Sequence, residues 1–106
     1  MPELLHTLAN AQATLRQHLT RELEGQLLSC RELSQAVHQS EKQVLEHLEH
    51  LRLSLRQQGK KLATTPAICR NCDYLFSQRS RLAKPGKCPV CRHTGIEPPL
   101  FTIIDI

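Results

Sequence analysis

The chain has 106 residues and a formal net charge of +4, and its only aromatic residues are Tyr74, Phe76 and Phe101. That length suits one compact domain or two small ones, and with so few rings a core in the first part must be built from leucine. No run of about 18 apolar residues occurs, which argues against a membrane span. Met1-Pro2-Glu3 lacks the basic and apolar regions of a signal peptide, so the expected location is the cytoplasm, where paired cysteines hold metal more often than they form disulfides. The charge is uneven. Residues 1–49 carry four Lys/Arg against seven Asp/Glu, and residues 50–106 carry ten against three. Mild basicity suits nucleic-acid contact, and it equally suits a solvated surface.

In chain order, Leu4, Leu8, Ala11, Leu15, Leu19 and Leu23 recur at spacings of three or four and predict an amphipathic helix over 3–24, with Gly25 as its stop. Leu27 and Leu28 form a short extended link or brief strand. Ser29-Cys30-Arg31-Glu32 has the S-x-x-E form of a capping box and opens a short helix, 30–37. Ser40-Glu41-Lys42-Gln43 repeats the device as S-x-x-Q and opens a longer one, 41–57, with Val44, Leu45, Leu48, Leu51 and Leu55 inward. His38 and Gln39 leave room only for a tight turn between them. Gly59 ends the long helix, and Lys60 to Thr65 read as a strand. Beyond Pro66 the composition shifts to proline, cysteine and β-branched residues, which divides the chain into residues 1–62 and 63–106.

Cys69-Arg70-Asn71-Cys72 and Cys88-Pro89-Val90-Cys91 are two C-x-x-C pairs separated by 15 residues. Two cysteines three apart on a tight turn can both reach one ion, and two such turns facing each other complete the tetrahedron that Zn²⁺ accepts. The pattern predicts one structural Zn²⁺ held by Cys69, Cys72, Cys88 and Cys91. Iron uses similar ligands, so the ligand set alone leaves the metal open. Four protein ligands close the coordination and leave no position for a catalytic water, and no nucleophile–base pair is visible, so no enzyme activity is expected. His93 is a competing ligand by position only. Cys30 has two readings: a thiol made reactive at a helix start, or, favoured, a small half-buried residue beside the core.

A short helix turning abruptly into a longer one matches a helix-turn-helix, whose last helix enters the DNA major groove. On that reading Gln39, Ser40, Lys42, Gln43, Glu46 and His47 face the bases, while Arg52, Arg56, Lys60 and Lys61 bind phosphates. Arg70, Arg79, Arg81, Lys84 and Lys87 add basic contacts. The alternative is a three-helix bundle with a solvated polar face. Residues 3–12 exceed what a minimal three-helix unit needs and suit pairing with a second copy.

Taken together, the chain resembles the predicted prokaryotic, largely archaeal, transcriptional regulators in which a helix-turn-helix domain is fused to a zinc ribbon. The resemblance rests on Thr14-Leu15-Arg16-Gln17, on Val44 to Leu51, and on Gly59-Lys60-Lys61-Leu62. It continues through Pro66 to Cys72 and Lys84 to Cys91, and closes on Ile96-Glu97-Pro98-Pro99. It implies a mainly α, winged-helix-like DNA-binding domain plus a small β zinc ribbon, in a non-enzymatic, dimeric regulator that binds double-stranded DNA. The wing is expected to be truncated or supplied by the ribbon. Such ribbons tend to carry glycine after each second cysteine, where this chain has Asp73 and Arg92, so the second knuckle is expected to be distorted. Two other functions stay open: a protein-interaction adaptor docking on transcription machinery, and a metal sensor or metallochaperone using His47 and His50. Metal removal is expected to unfold residues 66–106 and spare the helices.

Overall fold

A computed structural model describes residues 2–77 and 82–106, and for residues 2–12 the backbone alone. The elements are α1 (Pro2–Leu23), β1 (Leu28–Ser29), α2 (Cys30–Val37), α3 (Glu41–Ser54) with a 3₁₀ turn (Leu55–Gln58), β2 (Lys60–Thr65), β3 (Ile68–Cys69), β4 (Ile96–Glu97) and β5 (Leu100–Asp105). Over the described residues the molecule is a small α+β fold with three helices and two antiparallel sheets, one of three strands in the order β1-β5-β2 and one of β3 with β4. No helix among the described residues is long and apolar enough to cross a membrane.

The helix boundaries follow from local chemistry. Ser29 Oγ accepts the Glu32 N–H at 3.1 Å and the Glu32 carboxylate accepts the Ser29 N–H at 3.0 Å, closing the expected capping box. At α3 Ser40 Oγ accepts the Gln43 N–H at 3.2 Å, but the expected return bond from the Gln43 side chain is not formed. An amide reaches back less strongly than a carboxylate, which is also favoured by the helix dipole. Between α2 and α3 the turn is His38-Gln39-Ser40, with His38 left-handed at φ 57°. Gly25 and Gly59 take positive φ, 81° and 72°, at the ends of α1 and the 3₁₀ turn, where a side chain would add strain.

The main core is leucine-built, as composition requires. Leu19, Leu23, Leu33, Val37, Val44, Leu48, Leu51 and Leu55 close it from the three helices. Leu45, expected inward, is half-buried against this core. Leu4, Leu8 and Ala11 lie outside the residues whose side chains are described, and so does the expected pairing of residues 3–12 with a second copy.

Strand β5, at the end of the chain, runs between β1 and β2. Leu28 pairs with Phe101, and the β2 register runs from Lys60↔Asp105 to Thr65↔Leu100. Phe101, fully buried, and Ile103 enter the helical core. Thr102 Oγ1 donates to the Leu23 carbonyl at 2.9 Å, satisfying one acceptor left over at the end of α1. The chain therefore leaves the helical unit at Thr65, forms the cysteine-bearing segment 66–99, and returns at Leu100. Leu82, from within that segment, is 6% exposed and joins the helical core as well.

Candidate metal centre

Segment 66–99 is built from two matching turns. In the first, the Cys69 N–H donates to the Tyr74 carbonyl at 3.0 Å and the Asp73 N–H to the Cys69 carbonyl at 2.9 Å. In the second, the Cys88 N–H donates to the His93 carbonyl at 2.9 Å and the Arg92 N–H to the Cys88 carbonyl at 2.9 Å. Asp73 and Arg92 are both left-handed, at φ 62°. The expected distortion of the second knuckle is thus overturned: Arg92 takes the conformation that glycine favours, and the turn keeps its hydrogen bonds. The penalty falls on Arg92 itself, since a left-handed L-residue costs roughly 1–2 kcal/mol and Asp is more tolerant than Arg. Replacing Arg92 with glycine should raise the thermal midpoint of the metal-loaded protein by a few degrees, and Asp73→Gly by less. An unchanged or lower midpoint for Arg92→Gly would show that the arginine side chain compensates the strain.

Strands β3 and β4 hold the turns together through the pairs Ile68↔Glu97 and Cys69↔Ile96. Arg70 Nε donates to Glu97 at 2.7 Å across them, in an exposed ion pair worth at most about 1 kcal/mol. The segment's own apolar core is small: Ala67, Cys69, Cys88 and Ile96, with Phe76 and Cys91 packed against it. The Tyr74 and Phe76 rings meet edge to face at 5.0 Å. So small an apolar core is of the kind that a bound ion would help to order.

The four sulfurs lie within 4.8 Å of one another. Cys69 Sγ is 3.5 Å from Cys91 Sγ, and Cys72 Sγ is 3.6 Å from Cys88 Sγ. These separations exceed a disulfide bond and match a tetrahedron with metal–sulfur bonds of about 2.3 Å, whose corners are ~3.8 Å apart. Backbone and side-chain donors surround the cluster. The Val90 N–H points at Cys88 Sγ at 3.4 Å. Hydrogen bonds from the Asn71 side chain and the His93 backbone pull the Cys91 thiol down to about 6. Burial pushes Cys88 up, but the Cys91 and Val90 N–H groups outweigh it and its thiol is lowered. At Cys72 the Tyr74 N–H acts downward, yet desolvation and the three neighbouring thiols carry it up to about 12. Four thiols this crowded cannot all ionise without a cation among them, which a divalent metal would supply.

His93, the competing ligand by position, accepts the Gly95 N–H on Nδ1 at 3.0 Å and is not among the clustered donors. A β-carbon on Gly95 would meet that exposed imidazole at 2.9 Å, so a side chain there would displace the ring. Among the described residues, Cys69, Cys72, Cys88 and Cys91 are the group of three or more His, Cys, Asp or Glu side chains able to reach one ion. His47 and His50 form no such group. Sequence reasoning missed Asn71, whose place between two knuckle cysteines is its one signal.

Cys30 is half-buried, its Sγ donates to the Glu41 carbonyl at 3.4 Å, and burial, then Glu41, push its thiol up to about 11. The reactive reading is overturned: desolvation outweighs any help from the helix start.

The nucleic-acid candidates separate into groups. Ser40, Lys42, Gln43 and Glu46 are exposed over the first turns of α3, and Gln39 is half-buried. His47 instead turns toward α1, where Arg16 Nε donates to its Nδ1 at 3.3 Å. Burial, and then Arg16, hold its imidazole below the usual range. Arg52 pairs with Glu49 at 2.7 Å and Lys60 with Glu24 at 3.0 Å, so both cations are already engaged. Arg56 and Lys61 are exposed. In the cysteine segment Arg70, Lys84 and Lys87 are exposed, and Arg79 and Arg81 lie outside the described residues.

Fold and site together define a small α+β protein with a four-cysteine cluster that could hold a metal ion such as zinc. Residues 14–63, from within α1 to β2, match the family model described as PF0610-like, N-terminal. The whole fold is similar to the solution NMR structure of protein PF0610 from Pyrococcus furiosus, at 28% sequence identity and a TM-score of 0.76, over 89% of this chain and 91% of that one. No curated protein matches the chain.

Proposed function

We propose that this protein is a non-enzymatic, DNA-binding transcription regulator, a winged helix-turn-helix carrying a zinc ribbon with one structural Zn²⁺. The observation that supports it best is the turn His38-Gln39-Ser40 between α2 and α3, with Lys42 and Gln43 exposed on the first turn of α3. In a helix-turn-helix those are positions that meet base edges, and Lys and Gln are suited to purine acceptors and donors. On this reading β2 and β5 are the wing, and the ribbon is carried between its two strands. Arg56 and Lys61 are the cations available for phosphate. Glu46, exposed on the same helix, either accepts from cytosine or repels. Closed coordination by four thiolates gives the zinc a structural role.

Selection from a random duplex pool with zinc-loaded protein should converge on a preferred sequence, with affinity falling steeply as salt rises. Lys42→Ala and Gln43→Ala should each lower affinity for it by roughly 5- to 150-fold, the equivalent of ~1–3 kcal/mol per base contact. Flat enrichment, or binding indifferent to both substitutions, would sink the assignment. A second reading, a ribbon that docks on another protein, is favoured by the exposure of Leu75 (52%) and Val90 (66%) beside the knuckles. Capture of a transcription component without any duplex shift would support it instead.

A further inference from the structure

A groove of about 620 Å³ lies between α1 and the C-terminal end of α3. This volume is in the range of small-molecule sites, ~300–1,000 Å³. Arg16 and Arg21 line it from α1, and His50, Leu51 and Leu55 from the opposite side. None of Glu22, Glu24, Glu41, Glu46 or Glu49, the nearby carboxylates among the residues whose side chains are described, is among the lining residues. Glu22 is taken by His18 at 3.3 Å, Glu24 by Lys60 and Glu49 by Arg52. Two arginines therefore line a groove in which, among the described residues, no carboxylate takes part.

Arg16 is also oriented. Its Nε donates to His47 Nδ1 at 3.3 Å, an acceptor only in the neutral imidazole. Using an uncharged partner on Nε leaves the cation's charge uncompensated and fixes the plane of its terminal N–H groups. The hydroxyls in the wall are engaged: Thr20 donates to the Arg16 carbonyl at 2.8 Å and Ser54 to the Leu51 carbonyl at 3.5 Å. Two cations in a space far larger than one oxyanion, above a floor of buried leucine (Leu51, Leu55), suit a planar acid carried on a larger body. A guanidinium fork matches a carboxylate in two parallel hydrogen bonds.

We infer that the groove between α1 and α3 binds a small organic carboxylate, its acid group on Arg16 and Arg21 and its body along the exposed side chains of His50 and Gln58. The inference is independent of the DNA-binding reading, and its test uses no nucleic acid. Zinc-loaded, ¹⁵N-labelled full-length protein is titrated with benzoate, with its neutral counterpart benzamide, and with inorganic phosphate. Benzoate should give saturable shifts at the amides of Arg16, Thr20, His50, Ser54 and Leu55, with at least about tenfold weaker responses to the other two probes. Arg21→Gln changes an exposed side chain and should weaken benzoate at least about fivefold with the spectrum otherwise preserved. Arg16→Gln together with Arg21→Gln should abolish the response. Absence of saturation at millimolar benzoate, equal shifts from benzamide or phosphate, or benzoate binding undiminished in Arg21→Gln would each overturn it.

Discussion

Replacing Cys88 with serine is expected to abolish the metal binding proposed for the four-cysteine cluster and melt residues 66–99, while α1 to α3 stay helical. Cys88 is fully buried, and its sulfur lies within the four-sulfur cluster. Serine offers a harder, far less acidic donor in a place where thiolate is needed. Apparent affinity should drop by more than about 100-fold, since changing groups behind a ligand already costs ~10–100-fold. Metal analysis after dialysis and amide exchange across the segment would show it. Full metal occupancy in the variant would mean that the four cysteines are not the ligand set. The helices should not be indifferent. The expectation that residues 66–106 unfold as a block while the helices are spared needs revision, because β5 is paired to β1 and β2 and Leu82 sits in the helical core. Release of Leu82 alone removes ~1.5–3 kcal/mol of apolar burial, so the helical thermal midpoint should fall by several degrees.

Phe101→Ala is expected to be the most damaging single change outside the cluster, at ~3–5 kcal/mol. The ring is fully buried and is among the largest side chains of the core. It stands on the central strand, opposite Leu28 and Thr64. The surrounding core is leucine, valine and Ile103, already packed against one another, so the space the ring leaves would stay largely open. Domains of this size are commonly stable by only ~5–15 kcal/mol, so urea denaturation followed by helical circular dichroism should show a transition moved to much lower denaturant. Leu53→Ala serves as the control: at 64% exposure it should change stability by about 0.5 kcal/mol or less. A loss below about 1 kcal/mol for Phe101→Ala would mean that the helices do not depend on β5.

What the sequence made legible was local. The leucine spacing, the Ser29 and Ser40 caps and the glycine stops each act within a few residues, and the helices appear where those signals place them. The cysteine cluster was equally plain, because two C-x-x-C turns carry their own geometry. The return of Leu100–Asp105 to the helical unit was not. Its β-branched residues mark a strand, but the partners are Leu28–Ser29 and Lys60–Thr65, and no nearby turn sets that register. Leu82 was missed for a related reason: a single leucine in a loop has no periodicity to announce that it is buried. His47 was misplaced because the inward face of α3 is wider than its leucine stripe, and Arg16 from α1 covers the flank.

The pairing of Thr65 with Leu100 also bears on the order in which the molecule assembles. Joining those residues in a metal-free chain closes a loop of the 34 residues between them. Tying the two knuckles to one ion shortens the free path between the strands to roughly 13 residues and lowers the closure cost by about 1 kcal/mol, several-fold in the probability of encounter. The knuckles, whose hydrogen bonds span only four and five residues, are the part able to form early. Metal capture at the cluster would thus raise the rate at which the three-stranded sheet closes, beyond its effect on final stability. A chain made where metal is scarce would spend longer with β2 unpaired and its edge exposed to other chains.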